Sequence, residues 1–426
     1  MGDAMNLLYA QAGGMTAVIN ASAAGVIAAA RVQGARIGAT LAARYGILGA
    51  LAESLHDCAS IDVEALAATP GGLFGSCRFV MPVEVEQPAL YDRLFAVLDA
   101  HRVGALLYNG GNGSLEVVAR VSKAARRRGY PLACVGVPKT IDNDIEACDC
   151  CPGYGSAAKY LATSMREVCR DLASMMSRKG RVFVMEVMGR NAGWLAAATA
   201  LAARDVDEAP HIVLFPEVPF DEEALLARAE TVISRLGYCA ITVAEGIRRT
   251  DGSPLRARSH GDGHVRFGGA GEEIARLVSD AFDCHRHYAA PDYLQRSAAH
   301  WVSAVDHAQA LAVGHAAVNY ALEGRDGVVA AIRRLGDDPY RWDVVPVEAA
   351  TVANLERRLP PEFIAADGMQ VSEAGRRYLA PLVMGECLVN CADGLPVHYH
   401  RELPGLPRKL SRYCGWADEI IYARMG

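Results

Sequence analysis

The chain predicts an α/β protein of two lobes built on doubly wound, mostly parallel sheets. Three observations carry this. Short continuous apolar runs bounded by glycine recur along it, helix-length stretches alternate with them, and 426 residues exceed one ordinary α/β layer set.

In chain order, the apolar runs lie at 7–10, 105–108, 133–137, 182–187, 212–215 and 240–244. Their hydrophobicity is continuous rather than alternating, as in strands covered on both faces. Between them, helices are expected at 20–30, 115–127, 156–174, 193–203 and 222–236. Past an Arg/Gly/Asp-rich stretch at 251–268, a further helix is expected at 308–322. From about 336 the chain is rich in Pro, Arg and Asp. There is no internal repeat and no low-complexity tract, and soft boundaries fall near 150 and 250.

Lys plus Arg number 43 against 49 Asp plus Glu, a net charge of −6. That balance offers no basic field for a nucleic acid, so a small anion would need local cations. The twelve cysteines are scattered, and Cys148, Cys150 and Cys151 lack a second Cys or His pair at zinc spacing. Reduced, buried or loop thiols are expected. The opening MGDAMNLLYAQAGG has neither a basic n-region nor a sustained apolar core, and no stretch reaches the roughly 20 apolar residues of a membrane span. A cytoplasmic protein without a membrane partner is expected.

Ligands of open α/β sheets bind beyond the carboxyl ends of the strands, where glycine turns bring amides and helix N-termini to anions. Three strand ends qualify. LLYAQAGGMTAVIN places Gly13 and Gly14 between a strand and a helix, either as a phosphate site or as a tight connection. ALLYNGGNGS does the same with Gly110, Gly111, Asn112, Gly113 and Ser114. CVGVPKTIDNDIE puts Lys139, Thr140, Asp142 and Asp144 within six residues, suited to proton abstraction beside a metal-bound polyphosphate or to capping a helix.

Together, QAGGMTAVINASAAGVI, GGLFGSCRF, YNGGNGS, PKTIDND, CPGYGSAAKY, EVMGRNAGW, VAEGI and PDYLQRSA resemble, in the right order, the phosphofructokinase family. The likeness spans about residues 5–325 and is greatest to the pyrophosphate-dependent branch. It implies transfer of a phosphoryl group to the 1-hydroxyl of fructose 6-phosphate, with Asp142 as base and with Lys139 and Arg78 neutralising developing charge. Donor contacts are implied for Gly13, Gly14, Gly111, Gly113 and Ser114, and magnesium contacts for Asn112 and Asp144. The sugar phosphate is implied to meet Thr140, Ile141, Asp142, Met188, Gly189, Arg190, Glu245, Tyr293 and Arg296. Arg181 and, at a spacing one residue off the pattern, Arg286 are implied to reach a neighbouring subunit's site in a homodimer or homotetramer. The implied division is a donor lobe at 1–150, a sugar-phosphate lobe at 151–335 with the chain crossing between lobes, and a C-terminal extension at 336–426.

Two positions depart from the pattern. Many relatives carry Asp where this chain has Asn112, which keeps an oxygen ligand but loses its charge. Pyrophosphate users usually have Asp at the place of Gly113, where it blocks ATP, whereas Lys139 accompanies pyrophosphate use. The donor expectation is therefore pyrophosphate, with ATP as the alternative, and a non-catalytic sugar-phosphate-binding paralogue as the reading from another class.

Overall fold

The computed structural model describes residues 4–175, 178–259, 265–399 and 403–413. The strands are β1 (Met5–Gln11), β2 (Ile37–Ala43), β3 (Leu55–Asp57), β4 (Val103–Gly110), β5 (Ala133–Pro138), β6 (Arg181–Val187), β7 (Ile212–Leu214) and β8 (Tyr238–Ala244). They continue with β9 (Ala257–Ser259), β10 (Val265–Phe267), β11 (His285–Ala289), β12 (Val328–Asp337) and β13 (Tyr340–Glu348). A seven-stranded sheet runs β13-β12-β5-β4-β1-β2-β3, and a four-stranded sheet runs β11-β6-β8-β7. Pairings through the middle of both sheets are parallel, and β3 and β13 are antiparallel edges of the first. The doubly wound, mostly parallel architecture expected from the apolar runs is what the chain adopts.

In the first sheet the chain leaves β1 for β2 on one side and returns to β4 on the other, creating a switch-point crevice between the β1 and β4 loops. The loops after β5, β6, β8 and β11 open toward the same seam, so both sheets deliver their carboxyl ends to one region.

Helices follow local chemistry. Glu222–Leu236 starts where the Asp221 carboxylate accepts from the Ala224 amide at 3.0 Å and stops at Gly237, with φ 78°. The expected helix at 193–203 is shorter: an α-helix over Trp194–Thr199 passes into a 3₁₀ turn over Ala200–Ala202. Asn112–Arg128 buries Leu115, Val118 and Val121 along one face, and each fully buried side chain of this size contributes about 1.5–3 kcal/mol.

The expected 151–335 lobe is divided in space. The second sheet and its helices lie within 154–289, whereas helix Ala304–Leu322 and the β12–β13 hairpin join the first core. The extension expected from 336 thus begins inside a hairpin of the first sheet. Farther on, Leu359, Val371, Leu379 and Leu382 enter the second core, and Tyr413 returns to the first. Asp306 joins the lobes: its buried carboxylate accepts from the Gly153 amide at 2.8 Å and the Ser156 amide at 3.0 Å, at the N-terminus of helix Tyr154–Ser174. Burial pushes its carboxyl up to about 6. The described cysteines are all free thiols, with Cys148, Cys150 and Cys151 buried. Among the described residues, no helix is long and apolar enough to cross a membrane.

Helix Ile19–Val32 meets helix Ala304–Leu322 at backbone distance. A Cβ at Gly25 would lie 2.2 Å from the Leu311 carbonyl oxygen, and one at Gly314 would lie 2.2 Å from that of Ser22. Helix propensity alone makes Gly→Ala stabilising by about 1 kcal/mol. Here Gly25→Ala is expected to destabilise by about 1–3 kcal/mol through overpacking, read by urea unfolding. A raised unfolding midpoint would contradict this packing.

Candidate active site

A cavity of about 320 Å³ lies between the loops after β1, β4 and β5, lined by Gly13, Gly14, Arg78, Gly111, Asn112, Gly113, Ser114, Lys139, Thr140, Asp142 and Asp144. The structure thus unites every residue expected on the donor side. Ala12, Cys77, Phe79 and Val80 complete the wall. Gly13 takes φ 75°, which favours glycine, and its amide donates to the Cys77 carbonyl at 3.0 Å. The 78-loop is thereby pinned to the first glycine turn. Helix Asn112–Arg128 starts at this cavity, bringing the positive end of its dipole to an incoming anion.

Lys139 is buried, and its Nζ donates to the Gly14 carbonyl at 2.6 Å. Burial pulls it down to about 8, with Asp142 opposing the shift and the Arg296 and Arg78 guanidiniums adding to it. A Cβ on Gly14 would lie 2.9 Å from Arg296 Nη1 and 3.8 Å from Arg78 Nη2. Two guanidiniums therefore converge on one glycine. Arg296, expected at the sugar phosphate, reaches the donor loop instead and stacks on Tyr293 at 3.7 Å.

The acidic side is equally constrained. The Asp142 amide donates to Thr140 Oγ1 at 3.0 Å, and Asn143 takes φ 54° while its Oδ1 accepts from the Cys151 amide at 2.8 Å. Asp142 keeps part of its surface open to the cavity while lying deep in it. Burial, then Asp144 and Glu245, raise its carboxyl to about 7. Asp144 is also raised, by burial and then by Glu356. Ile141 is a buried residue of the second core, holding the loop rather than lining the cavity.

Asn112 Nδ2 donates to the Asp144 carbonyl at 3.2 Å and to Asp144 Oδ2 at 3.1 Å. Its Oδ1 is buried without a hydrogen-bond partner. An orphaned amide oxygen beside a carboxylate is a fitting set for magnesium, which takes one or two protein oxygens and fills the rest of its octahedron with phosphate and water. Among the described residues no three His, Cys, Asp or Glu side chains cluster as a closed metal cage.

Across the seam, a second cavity of about 420 Å³ is lined by Glu186, Met188, Glu245, Phe267, Gly268, Gly269, Glu272, Tyr288, Asp292 and Gln295. Met188 and Glu245 were expected here. Gly189 has φ 141°, and its carbonyl accepts from the Gly246 amide at 3.2 Å, which locks the Met188–Arg190 turn to Glu245. Burial, then Glu186, raise Glu245. Arg190 lies over Phe267 at 4.7 Å. Gln295 Oε1 accepts from the Met188 amide at 3.2 Å, so the short turn at 294–297 touches the sugar side through Gln295 and the donor side through Arg296.

Tyr293 is 61% exposed and outside both cavity walls. Arg181 begins β6, at the end of the strand opposite Met188, and donates to the Met175 carbonyl. Arg286 lines an adjoining cavity with Arg256, Arg276 and His287, which shares Gly268, Gly269, Glu272 and Tyr288 with the sugar cavity. Neither arginine is part of the sugar cavity's own wall. Glu186 and Gln295 escaped sequence reasoning although they lie in EVMGR and YLQR. Phe267 lies within the irregular stretch at 251–268 and Glu272 just after it, where no such signal is present.

A cavity ringed by cations and glycine turns, with two carboxylates on its floor and a polar cavity adjoining, defines a phosphoryl-transfer site. The chain matches the Phosphofructokinase family over residues 6–321 and belongs to it. It is 47% identical over 417 residues to pyrophosphate–fructose 6-phosphate 1-phosphotransferase of Xanthomonas campestris, covering 96% of this chain and 99% of that one. It is 46% identical to the enzyme of that name from Methylococcus capsulatus, at 96% and 98% coverage. The crystal structure of pyrophosphate-dependent phosphofructokinase from Marinobacter aquaeolei superposes with a TM-score of 0.88 at 42% identity, over 96% of this chain and 100% of that one.

Lys139 carries its charge below about pH 8 and loses it as the pH rises through that value. Pyrophosphate binding followed by calorimetry is expected to weaken across this window in the wild type and to hold in Lys139→Arg, whose guanidinium stays charged. Parallel pH profiles for the two proteins would contradict the role given to Lys139.

Proposed function

We propose that this chain is a pyrophosphate-dependent 6-phosphofructokinase, transferring a phosphoryl group from pyrophosphate to the 1-hydroxyl of fructose 6-phosphate to give fructose 1,6-bisphosphate and phosphate, reversibly. The observation that carries the reading is the position of Asp142, with Lys139 and the guanidiniums of Arg78 and Arg296 on its donor side and Glu245 on its sugar side.

Asp142 takes the proton of the 1-hydroxyl as that oxygen forms its bond to the terminal phosphorus, and the bond from phosphorus to the bridging oxygen breaks. Lys139, Arg78 and Arg296 hold the negative charge that gathers on the transferred group and the departing phosphate. Asn112 Oδ1 and Asp144 would hold magnesium, which supplies charge neutralisation at the donor. Glu245 and the Met188 turn orient the sugar, and Arg190 serves its phosphate. Arg181 and Arg286, outside their own sugar cavity, serve a neighbouring subunit in a homodimer or homotetramer.

Pyrophosphate as donor is supported by Lys139 against Gly14 and by the near full-length likeness to enzymes named for it. ATP is the second reading, favoured by the room at Gly113: a Cβ there would meet only Val80 Cγ2, at an ordinary 3.5 Å.

With fructose 6-phosphate and magnesium, turnover is expected with pyrophosphate and little with ATP. Absence of turnover with both donors would sink the enzyme reading and leave a sugar-phosphate-binding paralogue. Asp142→Asn is expected to lower kcat by about 10²–10⁴ while the Kd for fructose 6-phosphate changes little. Near-normal turnover would refute Asp142 as base. Since the space at 113 accommodates a side chain, Gly113→Asp is expected to abolish residual ATP use and preserve pyrophosphate use. Unchanged ATP use would show that the nucleotide does not pass residue 113.

A further inference from the structure

The family match ends at residue 321, yet the chain returns to the active site some thirty residues later, at 354–359. Glu356 forms an antiparallel bridge with Ile145, and the next amide, that of Arg357, donates to the Asp144 carbonyl at 2.9 Å. This segment is an added strand-like edge on the loop that carries Asp142 and Asp144. The Glu356 side chain turns the other way along the seam. Both of its carboxylate oxygens lie 2.9 Å from Asn191 Nδ2, one residue past Arg190. Asn191 Oδ1 in turn accepts from Arg248 Nη2 at 3.3 Å, and Arg248 and Arg190 both stack on Phe267.

The same segment is anchored well enough to act as a strut. The half-buried Arg357 guanidinium donates to the carbonyls of Cys148 at 2.9 Å and Asp149 at 2.6 Å, and to the Tyr378 hydroxyl at 2.7 Å. The Trp194 indole donates to the Arg357 carbonyl at 3.1 Å. Glu217 Oε1 accepts from the amides of Leu359 at 2.8 Å and Gly193 at 2.9 Å. Segment 356–359 therefore ties the catalytic loop, which follows β5 of the first sheet, to the 191–194 loop, which follows β6 of the second.

We propose that Glu356 is a positioning residue for the transfer: through Asn191 it sets the Arg190 turn, and the sugar it holds, against the Asp142 loop. In-line attack requires the sugar oxygen, on one lobe's side, to meet a phosphorus held on the other, and a misplacement of about 1 Å can cost on the order of 10²-fold in rate. Glu356 touches no reacting atom, and its carboxylate is largely exposed. Its contribution is the fixed distance between two loops. The proposal rests on the reading of the sugar cavity above.

The experiment compares Glu356→Ala, Glu356→Gln, Asn191→Ala and the double alanine variant with the wild type. It measures kcat and KM with pyrophosphate, the Kd for fructose 6-phosphate alone by calorimetry, and the melting temperature. Glu356→Ala is expected to keep the wild-type melting temperature, lower kcat by about 10–100-fold and weaken fructose 6-phosphate binding several-fold. Glu356→Gln, which still offers Asn191 an acceptor, is expected to recover most of both. Asn191→Ala is expected to match Glu356→Ala, with the double variant no worse than either single one. A Glu356→Ala protein within twofold of wild type in kcat and Kd overturns the proposal. So does a Gln variant as impaired as Ala, or defects that multiply in the double variant. A wild type that binds no fructose 6-phosphate overturns the sugar-cavity reading and this inference with it. An active wild type with an unaffected Glu356→Ala overturns this inference alone.

Discussion

The buried ammonium of Lys139 is the constraint on which the site depends. Removing such a charge from water is costly, and the fold offsets the cost with the Gly14 carbonyl on one side and Asp142 and Asp144 on the other. Arg78 and Arg296 then crowd the same glycine, so the cavity holds more positive charge than its own carboxylates balance. A polyphosphate completes that balance. The same crowding explains Asp142: burial and Asp144 raise its proton affinity while Lys139 restrains it, which leaves a carboxylate able to accept a proton near neutral pH.

Such a cluster works only if two sheets present their loops at fixed separation. Asp306 caps helix Tyr154–Ser174 from helix Ala304–Leu322, and Gly25 and Gly314 let that second helix lie against Ile19–Val32 at backbone distance. The segment around Arg357 adds a third tie, directly behind the catalytic loop. Chain that lies outside the family match thus supports the loop that carries the reacting groups.

Much of this was legible in sequence, for physical reasons. Strands buried on both faces write themselves as unbroken apolar runs, which is why β1, β4, β5, β6, β7 and β8 were all anticipated. Helix Glu222–Leu236 matched to the residue because Asp221 and Gly237 mark its ends chemically. The exposed edge strand His285–Ala289 carries no apolar run and was missed. The hairpin of β12 and β13 was missed as well: β12 opens on the apolar run Val328–Ile332, but the Arg- and Asp-bearing sequence that follows it, half-buried or exposed, breaks the pattern. On the site, the donor-side residues other than Arg78 sit on a glycine turn or in PKTIDND and show in local spacing, whereas Arg78 was pointed to by the family resemblance alone. Arg296 and Glu356 approach across the seam, and Glu186 and Gln295 meet Gly269, Gly271 and Met188 on the sugar side, in contacts that no local pattern encodes. Their roles emerge only once the chain's crossings between lobes are known.

The central claim is that Asp142 stands between a donor cavity and a sugar cavity that face each other. A crystal structure with fructose 6-phosphate, magnesium and a non-hydrolysable pyrophosphate analogue tests it most directly. The account predicts the sugar's 1-hydroxyl within hydrogen-bond reach of the Asp142 carboxylate, about 2.6–3.2 Å, with the analogue against Gly14 and Lys139. A sugar bound with its phosphate in the Lys139 cavity, or its 1-hydroxyl turned away from Asp142, would contradict it.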